Sequence, residues 1–291
     1  MIVLGCSLTN WGDCLEEFLS FAVSKVLGGL LDIILKAIKW VVAEAVKLVL
    51  ETIGTFWIRL PTISLTNDGQ ASSTITFVEQ QTVWLVAAIG VVSVILAGAR
   101  MAWHGRGEPL RELGKSLGTL LVVSSAGITM VTLLTQLADS IARDVINASL
   151  GASGQTFAER MADLVVNPMV HPSTGLAIVL MFGLIAIISS FIQVIFMLVR
   201  SGMLILLAGV LPLAAAATNT EMGKAWFKRV VGWLVAFIVY KPVVALIYAT
   251  ALNLAGNPEG DMMKIITGVT MMLLAVIALP ALLRFVAPKG A

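Results

Sequence analysis

Charge is what this chain is short of. Asp, Glu, Lys and Arg together make up 12% of its 291 residues, where a soluble domain carries roughly 25%. With 58% hydrophobic residues and a mean hydropathy of +0.97, that shortage excludes a soluble globular domain and leaves an integral membrane protein. Histidine and cysteine are also scarce, at two each. His104 and His171 stand far apart, no HxxxH, CxxC or carboxylate cluster accompanies them, and so no metal or cofactor is expected. There is no HExxH, no phosphate loop and no pair of intramembrane acids. The one Gly-rich stretch, His104-Gly105-Arg106-Gly107, lacks a strand-to-helix setting, so an enzyme is not expected. A net charge of +2 is too small for a nucleic-acid-binding surface, so any contact with DNA has to be local. Cys6 and Cys14 bracket CSLTNWGDC; a local disulfide and two unpaired thiols both stay open. Met1-Ile2-Val3-Leu4-Gly5 has no basic start, and no cleaved secretory signal is expected.

What the chain has in abundance is long apolar runs. Residues 82–99, 116–138, 230–255 and 265–283 are each long enough to cross the hydrocarbon, which takes about 20 helical residues. Residues 175–217 are apolar for about twice that length, interrupted only by Gln193 and Arg200. Before the first run, residues 13–58 read as a helix with Lys25, Asp32, Lys36, Lys39, Glu44, Lys47 and Glu51 inside an arc of roughly 140° and Leu, Ile, Val and Trp40 around the rest. Such a helix is expected to lie in the membrane interface or against partner helices. Pro61 ends it, and the turn-rich PTISLTNDGQASSTITF forms a small hairpin or an irregular loop.

The expected fold is therefore all-α: five membrane-spanning helices, the third unusually long or kinked, after a long amphipathic N-terminal helix. The expected division is residues 1–60 for that helix, 61–79 for an extracytoplasmic linker or hairpin, and 80–291 for the transmembrane region. The last includes an external loop, 139–174, with a Gly/Ser turn at Gly151 to Gly154 and a short amphipathic helix from Thr156 to Val166.

Basic residues set the orientation. If 175–217 crosses once, nine Lys or Arg fall inside (Arg100, Arg106, Arg111, Lys115, Lys224, Lys228, Arg229, Arg284, Lys289) against three outside (Arg143, Arg160, Lys264). A double crossing destroys that bias, so the positive-inside rule gives an N-terminus outside and a C-terminus in the cytoplasm. Residues 200–217 then either extend the third helix or re-enter the membrane.

Charged and amide side chains within spans are candidate functional residues because their burial in lipid is costly. Lys241 lies mid-span beside Pro242, and Arg200 and Gln193 lie within the long run. Arg200 can snorkel to a membrane boundary, Lys241 can pair or bond to a carbonyl, and Gln193 can bond across a helix interface.

The stretch LAGVLPLAAAATNTEMGKAW, with Gly209, Pro212, Thr218 or Thr220, and Trp226, resembles the TrbL-type polytopic inner-membrane subunit of type IV secretion and conjugal transfer systems. The five-span layout and the preceding amphipathic helix are similar too. The resemblance implies a channel or scaffold component of a secretion machine in the bacterial cytoplasmic membrane. Its implied partners are further copies of itself, other machine subunits, membrane lipid and DNA or protein in transit. Gln193, Arg200, Pro212, Thr218, Trp226 and Lys241 are then candidate conduit or assembly residues. The competing reading is a secondary transporter or small-solute channel with a broken helix near Arg200 and Lys241 as its midplane charge.

Overall fold

Seven α-helices and one small hairpin make up the computed structural model, which describes residues 11–59, 66–67, 70–71, 73–104, 108–151, 154–171, 174–255 and 260–286. In chain order they are α1 (Trp11–Arg59), β1 (Thr66–Asn67), β2 (Gln70–Ala71), α2 (Ser73–His104), α3 (Glu108–Leu150), α4 (Phe157–Val170), α5 (Leu176–Ala216), a 3-10 turn (Ala217–Asn219), α6 (Glu221–Ala255) and α7 (Asp261–Val286). Among the described residues five stretches are long and apolar enough to cross a membrane: Ser73–Leu96, Arg111–Leu150, Leu176–Asn219, Glu221–Leu254 and Met262–Val286. The all-α, five-span expectation holds. Cys6 and Pro61 lie outside the described residues, as does the side chain of Cys14.

The helices are longer than the apolar runs that announce them. α2 starts at Ser73, within the stretch read as a linker, and α3 continues to Leu150, through the first part of the segment read as a loop. In the stretch read as either a hairpin or an irregular loop, a ladder pairs Thr66 with Ala71 and Asn67 with Gln70. α4 begins where Thr156 accepts from the Glu159 backbone N–H at 3.3 Å while the Glu159 carboxylate accepts from the Thr156 N–H at 2.8 Å. That reciprocal cap satisfies two donors the first turn would otherwise leave orphaned.

α6 is the central helix, packed on α3, α5 and α7, and Leu234, Phe237, Tyr240, Val244 and Tyr248 are buried along it. α2 lies against α5 so closely that a Cβ on Gly209 would stand 2.7 Å from Val78 Cγ1; the absent side chain is what allows this approach. Leu121, Leu246 and Ile277 are exposed on the outer faces, as expected where lipid is the solvent.

α1 divides into two parts. Ala43, Val46 and Leu50 are buried where the helix packs on α4 and α5, and Lys39 donates to the Thr174 carbonyl. Earlier in the helix, Leu30, Leu31, Ile33 and Ile34 are exposed alongside a Lys36–Asp32 ion pair of 2.6 Å.

α5 is one helix of 41 residues, about 62 Å at 1.5 Å per residue. It runs unbroken through Arg200-Ser201-Gly202, so the broken helix of the transporter reading is absent. It also runs through Pro212, and residues 200–216 extend the helix instead of folding back. Ser201 bonds back to the Met197 carbonyl at 3.1 Å, and Leu204, Leu207, Ala208 and Leu211 are buried. Packing on α6 and α2 compensates for the one backbone bond that Pro212 removes.

Candidate functional site

Helical spacing puts Gln193, Met197, Arg200 and Leu204 on one face of α5, and all four are buried. An arginine in that row needs partners inside the protein, since an unpaired guanidinium in a low-dielectric interior is prohibitively costly. It has two. Arg200 Nη2 meets Asp139 Oδ1 of α3 at 3.1 Å, and Arg200 Nε donates to the Phe237 carbonyl of α6 at 2.8 Å. Pro242 lies five residues further along α6; a proline in a helix interior loosens the carbonyl ladder of the preceding turn, which favours a side-chain donor there. The second carboxylate oxygen, Asp139 Oδ2, stands 3.3 Å from Lys241 Nζ.

Asp139, Arg200 and Lys241 are 1%, 3% and 2% exposed, and they are the only buried charged residues among those described. One carboxylate thus joins two cations, and the trio carries a formal charge of +1. It ties α3, α5 and α6 together at one level. Arg200 is therefore a buried partner and does not snorkel to a boundary. For Lys241, the buried pair is what the fold contains.

About two turns away along α5, roughly 10 Å, Gln193 makes the next cross-helix link. Its Nε2 donates to the Met272 carbonyl of α7 at 3.2 Å, and its Oε1 accepts from the Tyr248 hydroxyl of α6. The Tyr248 ring packs edge-on against Phe157 of α4, centroids 5.4 Å apart at 67°, so α4 is keyed to the same row. Gln193, Arg200 and Lys241 form one polar spine.

Pro212, Thr218 and Trp226 belong to the other end of the bundle. Thr218 lies 18 residues beyond Arg200, about 27 Å along a helix. Its hydroxyl donates to the Ala215 carbonyl at 2.7 Å, so in the 2.9 Å contact with Ser116 of α3 Ser116 supplies the proton. Asn219 Nδ2 donates to the Ser93 carbonyl of α2 at 2.9 Å. The Gly223 N–H donates to Thr220 Oγ1 at 3.0 Å, capping α6. Outside this buried knot, Lys224 contacts Glu221 at 2.9 Å and Glu112 of α3 at 3.3 Å. Trp226 is 36% exposed, and Pro212 is half-buried. The turn thus fastens α2, α3 and α5 to the start of α6 without touching the charge cluster.

Sequence reading missed Asp139, Tyr248, Ser116 and Asn219. Asp139 had a usable signal: two intramembrane cations call for an anion, and Asp139 directly follows the apolar run 116–138. Tyr248, Ser116 and Asn219 had none, because their partners, the Gln193 and Thr218 side chains and the Ser93 carbonyl, lie on other elements.

Among the described residues no group of three or more His, Cys, Asp or Glu could hold a metal ion. What the arrangement does chemically is brace helices. The sequence family described as "TrbL/VirB6 plasmid conjugal transfer like protein" matches residues 9–291. No curated protein matches the chain.

Proposed function

Since the chain belongs to the TrbL/VirB6 plasmid conjugal transfer family, and is thereby a membrane component of a conjugation or type IV secretion machine, we propose that it serves there as a channel or scaffold subunit. The observation that carries this reading is the extent of the match, residues 9–291, which takes in every described helix. The family's membrane subunits are structural and not catalytic.

The proposed orientation is N-terminus outside and C-terminus in the cytoplasm of a bacterial inner membrane. The basic group Lys224, Lys228 and Arg229 supports it through the positive-inside rule, and a continuous α5 supports the single crossing on which the count depends. The end of the bundle holding α4 then faces outward. The proposed partners are further copies of the chain, other machine subunits, and DNA or protein cargo meeting α4 and the outer half of α5. Asp139, Arg200 and Lys241 fix how α3, α5 and α6 are set against one another, so the surface offered to those partners is a rigid one.

The test is genetic. Removing the gene from a conjugative element abolishes transfer to a recipient, and a copy supplied in trans restores it. Transfer at the original frequency without the gene contradicts the proposal. Cross-linkable residues at exposed Phe191 and Ile195, activated during transfer, then report whether the captured cargo is DNA or protein.

A further inference from the structure

The buried trio is not electrically closed, and a cavity stands beside its surplus charge. Lys241 lines a cavity of about 280 Å³ between the last turns of α3 and the start of α4. Arg143 and Asn147 of α3 line it too, and both are exposed, so they mark its rim; Lys241, 2% exposed, marks its floor. Ile146, Leu150 and Phe157 supply apolar wall. No carboxylate is among the lining residues. The anions next to it are already engaged: Asp139 is shared between Arg200 and Lys241, and the Glu159 carboxylate accepts from the N–H of Thr156, a lining residue at the α4 edge. Gln155, at the α4 edge, is held by Asp163 and Arg160.

Two cations in a largely apolar recess, with Asn147, Gln155 and Thr156 as its neutral polar groups, are complementary to an anion that carries its own apolar part. A free inorganic ion would leave the wall wet. A nucleic-acid helix is far too large for the volume. A phospholipid phosphate fits both demands: the cations meet the headgroup and the apolar wall meets its chains. Apolar walls with a few convergent polar groups are also the usual make-up of a small-ligand site. We propose that this cavity binds the phosphate of an anionic phospholipid, with Lys241 at the floor and Arg143 at the rim as its two cationic contacts. The bound headgroup neutralises the surplus positive charge of the trio and ties α4 to α3 and α6. The inference rests on the membrane-spanning fold alone and does not depend on what cargo the machine carries.

The test uses the full chain, purified in a neutral maltoside and stripped of lipid, titrated with dioctanoyl phosphatidylglycerol, dioctanoyl phosphatidylcholine and inorganic phosphate. Native mass spectrometry reads stoichiometry, and scanning fluorimetry reads Tm. Phosphatidylglycerol is expected to bind one per chain and raise Tm, with phosphatidylcholine about tenfold weaker, a difference of about 1.4 kcal/mol. Phosphate alone is expected to have no effect. Arg143→Gln should weaken phosphatidylglycerol about fivefold while leaving the lipid-free Tm in place, and Arg143→Lys should restore most of the loss. Ile146→Phe, which fills the recess, should weaken binding without removing a charge. Equal binding of the zwitterionic lipid overturns the proposal, as does unchanged affinity in both Arg143→Gln and Ile146→Phe. Saturation by phosphate alone reassigns the cavity to a free anion, and stoichiometric competition by a short oligothymidylate reassigns it to cargo; either result overturns the lipid assignment.

Discussion

Asp139 and Lys241 meet in the interior at 3.3 Å between Oδ2 and Nζ, each less than 3% exposed, while the other oxygen of the same carboxylate holds Arg200 at 3.1 Å. Removing the shared anion leaves two buried cations with no counter-charge. Asp139→Ala is therefore expected to destabilise the bundle by about 3–5 kcal/mol, the range for breaking a buried pair from one side. The measurement is Tm in detergent together with the amount of protein recovered from membranes. The triple replacement Asp139→Leu, Arg200→Met, Lys241→Met removes all the charges at once and should recover most of that loss. If the triple variant is as unstable as Asp139→Ala, the cost of the single change is not electrostatic.

Gly223 starts α6 against the turn before it. A Cβ there would lie 1.8 Å from the Ala217 carbonyl oxygen, which is backbone and cannot yield as a flexible side-chain tip can. Gly223→Ala should cost at least about 1–3 kcal/mol, the overpacking range, because the Thr220 cap must shift. Gly202→Ala, where a Cβ meets nothing within 4 Å, is the control and should leave Tm nearly unchanged. Equal Tm for the two variants would show that the turn is looser than its geometry indicates.

The amide of Gln193 links α6 and α7 through Tyr248 and the Met272 carbonyl. Tyr248→Phe and Gln193→Leu should each destabilise by about 1 kcal/mol. Their coupling in a double-mutant cycle should be about 0.6 kcal/mol and at most about 1.7, the span measured between membrane helices. A coupling indistinguishable from zero contradicts the contact.

These contacts show where sequence reading reached and where it stopped. Apolar length identified the five spans because lipid leaves a spanning chain few alternatives to a helix. The cost of charge in lipid singled out Arg200 and Lys241. Asp139 was misplaced because hydropathy falls at the end of the run 116–138, whereas the helix continues to Leu150. A helix end is set by capping and packing, and a drop in hydropathy marks only where solvent can begin. The transporter reading failed at a related point. Arg200-Ser201-Gly202 looks like a break when read alone, but burial against α6, with Asp139 supplying the counter-charge, keeps it helical. The resemblance through Pro212, Thr218 and Trp226 pointed to the right family, while Thr218 itself works through a hydroxyl contact with Ser116 that no spacing announces.

The side on which the Lys224 turn lies decides between a single crossing by α5 and any other layout. With Cys6 and Cys14 replaced by serine, single cysteines at Met222, which is 84% exposed, at Met262, which is 46% exposed, and at exposed Ala148 can be probed with a membrane-impermeant maleimide on intact spheroplasts. The orientation proposed here predicts that Ala148→Cys and Met262→Cys react from outside and that Met222→Cys reacts only after the membrane is opened. Reaction of Met222→Cys in sealed spheroplasts, with Ala148→Cys protected, would contradict it.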